Sequence, residues 1–110
     1  MPDQTRAIMN MPVFLVINAT INPAEETALN RYFKNSKPLT QKYGAVPVAS
    51  YSLTEALDEK QHPEVCAIMS FPSKETIFQL FNDPDYLAIV KDRDLGFSAI
   101  RYFVGHEQVA

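Results

Sequence analysis

The order of its apolar segments is the feature that most constrains the fold of this chain. Residues 13–21 form a run rich in β-branched side chains, which is typical of a strand, and residues 46–53, 65–71 and 98–107 predict three more. Apolar residues at helical spacing separate the first strand from the second and the third from the fourth. The resulting order, β-α-β-β-α-β, is the ferredoxin-like arrangement of the α+β class. It predicts a four-stranded antiparallel sheet with both helices on one face.

The first helix has a clear start signal. Asn22 can cap it, Pro23 suits its first position, and Glu25 would complete a capping box. Pro38 lacks an N–H group and predicts a break or a kink, followed by a short second helix that runs to Tyr43 with Gly44 as its C-cap.

The second helical region is divided. Ser73 is expected to cap its first part, Asn82-Asp83-Pro84 to interrupt and recap it, and Gly96 to end it. In the second strand, Pro47 cannot donate to a ladder and favours an edge position or the start of a strand. The third strand is apolar enough to lie centrally.

Composition and charge exclude several classes of protein. The length of 110 residues predicts one domain over residues 12–110, preceded by an N-terminal arm at residues 1–11. The net charge is −3 and the ten Lys and Arg residues are scattered, which argues against nucleic-acid binding. No apolar run is long enough to cross a bilayer, so no membrane association is expected. A single cysteine, Cys66, precludes an internal disulfide and favours a reducing compartment, with the cytoplasm as the expected location.

The second face of the predicted sheet raises a physical problem. Phe14 and Val16 would lie on it, and the third strand is largely apolar on both of its faces. An uncovered apolar patch of this kind is larger than monomers usually tolerate. We therefore expect a homodimer that pairs two sheets through this open face about a two-fold axis. The alternative is a monomer whose residues 1–11 cover the sheet.

Three pieces of the sequence carry a family resemblance: FPSKE at residues 71–75, FNDPDY at residues 81–86, and Arg93. They are similar to the family labelled domain of unknown function thirteen-thirty, of the dimeric α+β barrel superfamily. The resemblance implies a homodimer and no particular activity. The family usually has a Gly-Gly pair after the first helix and a Glu-Gly pair before the third strand. Here Tyr43-Gly44-Ala45 takes the first place and the Glu-Gly pair is missing, so a ligand site built on those turns would be absent.

Tyr86 and Arg93 are the leading candidates for a site, because a spacing of seven residues puts both near one helix face. Arg93 could hold an anion while Tyr86 offers its hydroxyl. Alternatively, Tyr86 packs in the core and Arg93 pairs with a nearby carboxylate such as Glu75 or Asp85.

Two polar residues interrupt apolar strands. Asn18 lies in the first strand and Arg101 in the last, and these strands are neighbours in a ferredoxin-like sheet, so the two side chains could share a face. They could contact a ligand, or they could form hydrogen bonds across a dimer interface.

The two histidines and the cysteine give weaker signals. Neither His62 nor His106 has a second ligand at metal spacing, so no metal is predicted, and His106 is retained as a candidate general base or ligand contact. Cys66 is typical of a small core residue.

The sequence therefore predicts a pocket between sheet and helices for a small, partly apolar metabolite, with no cofactor. The candidate ligand-binding residues are Asn18, Tyr86, Arg93, Arg101 and His106. A cofactor-independent oxygenase or isomerase is a further hypothesis, by analogy of fold alone. A non-catalytic structural or interaction module without a ligand is the alternative, and haem binding would require an axial histidine inside the cavity.

Overall fold

The computed structural model describes residues 12–108 of the chain, so the predicted arm at residues 1–11 lies outside the described residues. The elements in this part are β1 (Val13–Ile21), α1 (Glu26–Lys42), β2 (Val46–Ser52), β3 (Val65–Phe71), α2 (Lys74–Asn82), α3 (Pro84–Leu87), α4 (Val90–Gly96) and β4 (Phe97–His106). A 3-10 turn at Pro23–Glu25 precedes α1. Within residues 12–108, no helix has both the length and the apolar character needed to span a membrane.

The four strands form one antiparallel sheet in the order β2-β3-β1-β4. This is the ferredoxin-like topology, so the predicted fold is confirmed. The edge position of β2 and the central position of β3 are also as expected. The pairing of β2 with β3 shifts register between Pro47 and Ala49, where the missing N–H group of proline interrupts the ladder.

Alternation along the strands divides the sheet into two faces. Leu15 and Ala19 of β1 point toward the helices and are almost fully buried, as is Phe71 at the end of β3. They pack with side chains of the helices, chiefly Leu29, Tyr32, Ile77, Leu80 and Tyr86. The hydrophobic core thus lies between the helices and one face of the sheet. The opposite face, called the open face below, carries Phe14 and Val16.

The start of α1 follows the predicted signal only in part. The Asn22 Oδ1 atom accepts a hydrogen bond from the backbone N–H of Ala24 at 3.1 Å, so Asn22 does cap. Glu25 ends the 3-10 turn, and its side chain makes no capping hydrogen bond to α1. The expected capping box is therefore wrong.

Of the two outcomes expected at Pro38, the break with a separate second helix is wrong, because α1 continues through Pro38 to Lys42. Pro38 and Lys34 both lie on the exposed side of α1, where water can reach the carbonyl group that proline leaves without a donor. On the inner side, Ser36 and Leu39 are buried and fix the helix to the core. Packing of this stripe outweighs the local cost of the proline.

The glycines at two helix ends act for different reasons. Gly44 has φ of 79°, the left-handed conformation expected of a C-cap, which confirms the predicted helix end. Gly96 ends α4 as predicted, but it does not adopt a positive φ. A Cβ atom at Gly96 would lie 2.8 Å from the Cα atom of Leu29, so glycine allows α1 and α4 to approach closely.

Candidate functional site

A cavity of about 440 Å³ lies between the sheet and the helices. Its walls are mostly apolar and include Leu15 and Ile17 of β1 and Ala67 and Met69 of β3. Its mouth is marked by four exposed lining residues: Phe33, Lys37 and Gln41 on α1, and Pro47 on β2. This volume falls in the range of small-molecule sites, which extends from about 300 to 1,000 Å³.

Three tyrosines form the polar end of the cavity. The hydroxyl oxygens of Tyr32 and Tyr86 are 2.9 Å apart, and those of Tyr86 and Tyr102 are 3.5 Å apart. The three residues, called the phenol cluster below, come from α1, α3 and β4 and all line the cavity. Phe81 contacts the rings of Tyr86 and Tyr102 edge-on, with centroids 5.0 and 4.9 Å away. The aromatic packing fixes the rings while their hydroxyls converge on one point.

Arg93 supports the phenol cluster from α4. Its Nη1 atom donates to the hydroxyl oxygen of Tyr86 at 3.2 Å, and its Nε atom donates to Asp94 Oδ1 at 3.1 Å. The guanidinium carbon lies 5.8 Å from the centre of the Tyr102 ring. Burial alone would lower the pKa of Arg93, but the hydrogen bond and charge interaction with Tyr86 outweigh it, so the pKa is raised and the group stays cationic.

The Tyr32 and Tyr102 phenols remain protonated at neutral pH. Burial raises the pKa of both Tyr32 and Tyr102 above the ordinary phenol range, and the neighbouring hydroxyls raise the pKa of Tyr32 further. A neutral phenol donates a hydrogen bond, so the cluster can hold an oxygen acceptor but cannot serve as a general base.

The three hydroxyls of the phenol cluster carry one hydrogen more than the two hydrogen bonds to Tyr86 use. Three hydroxyls carry three hydrogens, and only two bonds join them among the described residues. A hydroxyl oxygen has two acceptor positions. Arg93 occupies one on Tyr86, so Tyr86 accepts from one neighbouring phenol and donates to the other. The remaining hydrogen therefore belongs to Tyr32 or Tyr102, and it can turn toward the other of these two interacting hydroxyls or toward a ligand.

Asp83 holds the helices around the cavity together. Its side chain is buried, accepts from the backbone N–H of Asp85 at 2.8 Å as the cap of α3, and pairs with Lys42 at 3.1 Å. The Tyr43 hydroxyl also donates to it. The Asn-Asp-Pro motif thus recaps the helical region as predicted, and it also ties α3 to the end of α1. Its role in this structure is to position the site.

We expect Asp83 to make stability depend on acid pH. Its pKa is lowered to about 2, first by the hydrogen bond from Tyr43, then by the Asp85 N–H and by Lys42. A folded pKa below the unfolded value of about 3.9 stabilises the fold above pH ~4, and this contribution is lost as the pH falls through about 2. Melting temperatures of wild type and Asp83→Asn should therefore differ most near pH 5 and converge near pH 2.

The matched variant for this prediction is Tyr43→Phe, which removes the donor with the largest effect on Asp83. It should weaken the pH dependence without abolishing it, because the Asp85 N–H and Lys42 remain. A difference between wild type and Asp83→Asn that stays constant from pH 5 to pH 2 would contradict the prediction.

The structure brings together only part of the predicted site. Tyr86 lines the cavity, and Arg93 contacts it, as the spacing of seven residues indicated. Tyr86 is also packed in the core, at 2% exposure, and the carboxylate beside Arg93 is Asp94 instead of the suggested Glu75 or Asp85.

Asn18 and Arg101 do share a face, because they are direct partners in the pairing of β1 with β4. That face is the open face, since the neighbouring residues Ile17 and Tyr102 line the cavity on the other side. Asn18 and Arg101 therefore do not line the cavity between sheet and helices. Arg101 extends over Phe103, with its guanidinium carbon 5.1 Å from the ring centre.

Neither histidine lines this cavity. His106 ends β4 and contacts the backbone oxygen of Glu107 at 2.9 Å, and His62 lies in the loop before β3 and contacts the oxygen of Pro63. An axial histidine for haem is therefore missing from the lining among residues 12–108. In the same part of the chain, no group of His, Cys, Asp and Glu is arranged to hold a metal ion.

Sequence reasoning missed Tyr32 and Tyr102 as members of the site. Both occupy apolar positions of their elements, where an aromatic residue suggests only core packing. The available signal was chemical: a buried tyrosine hydroxyl needs a partner, and three such residues in one small core can serve one another.

Comparison with known proteins places the chain in a family. The family model described as "Domain of unknown function (DUF1330)" matches residues 12–104. The chain belongs to the DUF1330 family. No curated protein matches this DUF1330 chain.

Solved structures share the fold of this DUF1330 protein. RPA0582 of Rhodopseudomonas palustris, a protein of unknown function, superposes with a TM-score of 0.78 at 17% identity, covering 100% of this chain and 96% of that one. An ethyl tert-butyl ether d (ethd) family protein of Bacillus halodurans gives 0.59 at 20% identity, covering 89% and 100%. A nipsnap family protein of unknown function from Agrobacterium tumefaciens gives 0.60 at 13% identity, covering 89% of each chain. At these identities the likeness shows the fold alone.

Proposed function

We propose that this DUF1330 protein binds a small, mostly apolar molecule that carries an oxygen acceptor such as a carbonyl group. The observation that supports this most is the convergence of three phenol hydroxyls, which carry one hydrogen more than the two bonds to Tyr86 use, at the end of an apolar cavity of about 440 Å³. The apolar walls favour a hydrophobic body, and the phenol cluster orients it through one hydrogen bond.

The composition of the lining favours binding over proton abstraction. Among the described residues that line the cavity, none is Asp, Glu, His or Cys. The Tyr32 and Tyr102 phenols are donors at neutral pH, because burial raises the pKa of both. An isomerase that removes a proton would need a base that this lining does not supply, so the oxygenase or isomerase hypothesis has no support from the side chains here.

A matched pair of probes tests the proposal. Acetophenone and ethylbenzene have similar shapes and differ in a carbonyl oxygen. We expect wild type to bind both in a calorimetric titration and to prefer acetophenone by roughly two- to tenfold, the worth of one hydrogen bond.

Removing the phenol cluster should remove this preference. Single Tyr→Phe changes are uninformative, because the remaining hydroxyls can redistribute and free another hydrogen. The variant to use is the triple change Tyr32→Phe, Tyr86→Phe and Tyr102→Phe. We expect it to bind ethylbenzene about as well as wild type does, which shows that the cavity persists, and to lose the preference for acetophenone. Failure of wild type to bind either probe would refute the proposal, as would equal affinities for the two.

We further propose that the open face pairs with that of a second copy. Val48 and Tyr51 of β2 and Phe103 of β4 are 54%, 56% and 42% exposed. With Val16 and its partner Ile68 they make the centre of this face apolar. Burial of such a patch in a two-fold dimer removes it from water and is the commonest solution for soluble proteins.

A further inference from the structure

Among residues 12–108, the one charged side chain that lines the cavity is a cation, Lys37, although the chain as a whole is negative at −3. Lys37 is exposed at the mouth, and the Arg93 guanidinium contacts the phenol cluster at the inner end. No acidic side chain lines the cavity in the described part of the chain. The Asp94 carboxylate accepts a hydrogen bond from the Nε atom of Arg93, whereas the Nη1 atom of Arg93 donates to the phenol cluster.

Lys37 is unlike the other cations near the site. Arg93 pairs with Asp94, and Lys42 pairs with Asp83. Within residues 12–108, Lys37 takes part in no such ion pair. A flexible ammonium group at the rim of an apolar cavity, with no carboxylate to neutralise it, favours an anion at that point.

The positions of Lys37 and Tyr32 along α1 separate the mouth of the cavity from the phenol cluster. Lys37 follows Tyr32 by five residues on α1, which corresponds to about 7.5 Å along the helix axis. A molecule with an oxygen acceptor at one end and an anion at the other, separated by a short apolar body, would span this length. Because the mouth is exposed, the anion would keep part of its hydration, which avoids the cost of full burial.

We infer that the ligand is a small apolar carboxylate whose second oxygen group reaches the phenol cluster while its carboxylate lies at the mouth beside Lys37. This inference rests on the proposed binding function and adds the substrate class and the orientation. Gln41, one turn further along α1 and also lining the cavity, is placed to donate to the same carboxylate.

The test compares para-acetylbenzoate with para-acetylbenzamide, which share the acetyl group and the ring and differ in charge. We expect wild type to bind the acid roughly two- to fivefold more tightly, the range for a partly exposed ion pair. The preference should shrink as salt is raised from low ionic strength to about 0.5 M, because exposed charges are screened. Isothermal calorimetry with both probes measures it.

Lys37→Gln should abolish the preference for the acid and leave binding of the amide unchanged. Lys34→Gln is the matched control, since it removes the same charge from an exposed position of α1 that does not line the cavity. It should retain the preference.

Three results would overturn the inference: equal affinities in wild type, a preference that survives in Lys37→Gln, or an equal loss in Lys34→Gln. A preference that survives Lys37→Gln but is lost in the triple Phe variant would place the carboxylate at the phenol cluster instead. In each of these cases acetophenone should still bind, whereas failure of acetophenone as well would mean that the proposed function itself is wrong.

Discussion

Replacing Gly96 by alanine is expected to lower the free energy of unfolding by about 1–3 kcal/mol, the usual cost of overpacking a core. A Cβ atom there would lie 2.8 Å from the Cα atom and 2.9 Å from the Cβ atom of Leu29, and backbone cannot move aside as a flexible side-chain tip could. α1 and α4 would have to separate, which would also displace Arg93 from the phenol cluster. Chemical denaturation followed by circular dichroism measures the loss.

Gly105→Ala is the matched control for this change. A Cβ atom at Gly105 would have no neighbouring atom within 4 Å, so alanine should be tolerated there. If Gly96→Ala and Gly105→Ala had equal free energies of unfolding, the contact between Gly96 and Leu29 would not limit the packing of α1 against α4, and the prediction would be wrong. Gly96→Val should be worse than Gly96→Ala, because a branched side chain adds further atoms to the same contact.

Placing a carboxylate at the centre of the open face is expected to separate the proposed dimer. Val16 lies between its strand partners Ile68 and Phe103, so Val16→Asp would bury an unpaired charge in the interface. A cost of roughly 3 kcal/mol corresponds to more than a hundredfold weaker association. Sedimentation velocity at micromolar concentration should show wild type as a dimer and Val16→Asp as a folded monomer.

Gln79→Asp provides the control for the charge. It introduces the same group at an exposed position of α2, on the helix side of the sheet, and should leave the dimer intact. Wild type that sediments as a single chain would refute the dimer proposal. That result would favour the alternative hypothesis, a monomer whose residues 1–11 cover the sheet. Dissociation by Gln79→Asp would show that added charge alone is sufficient.

Local patterns were enough to predict most of the fold. Strand β1 was predicted with its observed bounds, and Pro47 indicated the edge of the sheet because it cannot donate to a ladder. Ser73 was expected as a cap and Asn82-Asp83-Pro84 as a recapping motif, and the Ser73 and Asp83 side chains accept backbone hydrogen bonds at helix starts. Each of these features depends on the chemistry of one residue and its near neighbours.

Local patterns failed where packing outweighed them. Pro38 was expected to interrupt a helix that continues because its inner stripe is buried and its outer side is hydrated. Gly96 was predicted as a helix-ending residue because of the backbone conformations that glycine allows. In the structure, the close approach of Leu29 is what requires glycine at this position. The predicted site residues were only partly brought together by packing. Arg93 contacts Tyr86, but Asn18 and Arg101 lie on the opposite face of the sheet from these two residues.

The sequence by itself determined the order of the elements, from which the antiparallel sheet follows, and it placed Tyr86 and Arg93 near each other through their spacing of seven residues. Only the tertiary structure decided that Tyr32 and Tyr102 join them, and which faces of the sheet the residues of β3 and β4 occupy. The physical reason is register: a shift of one residue between strands moves every side chain to the opposite face, and a strand such as β3, which is largely apolar on both faces, does not fix its register by pattern. The phenol cluster exists because three elements distant in sequence place their hydroxyls at one point.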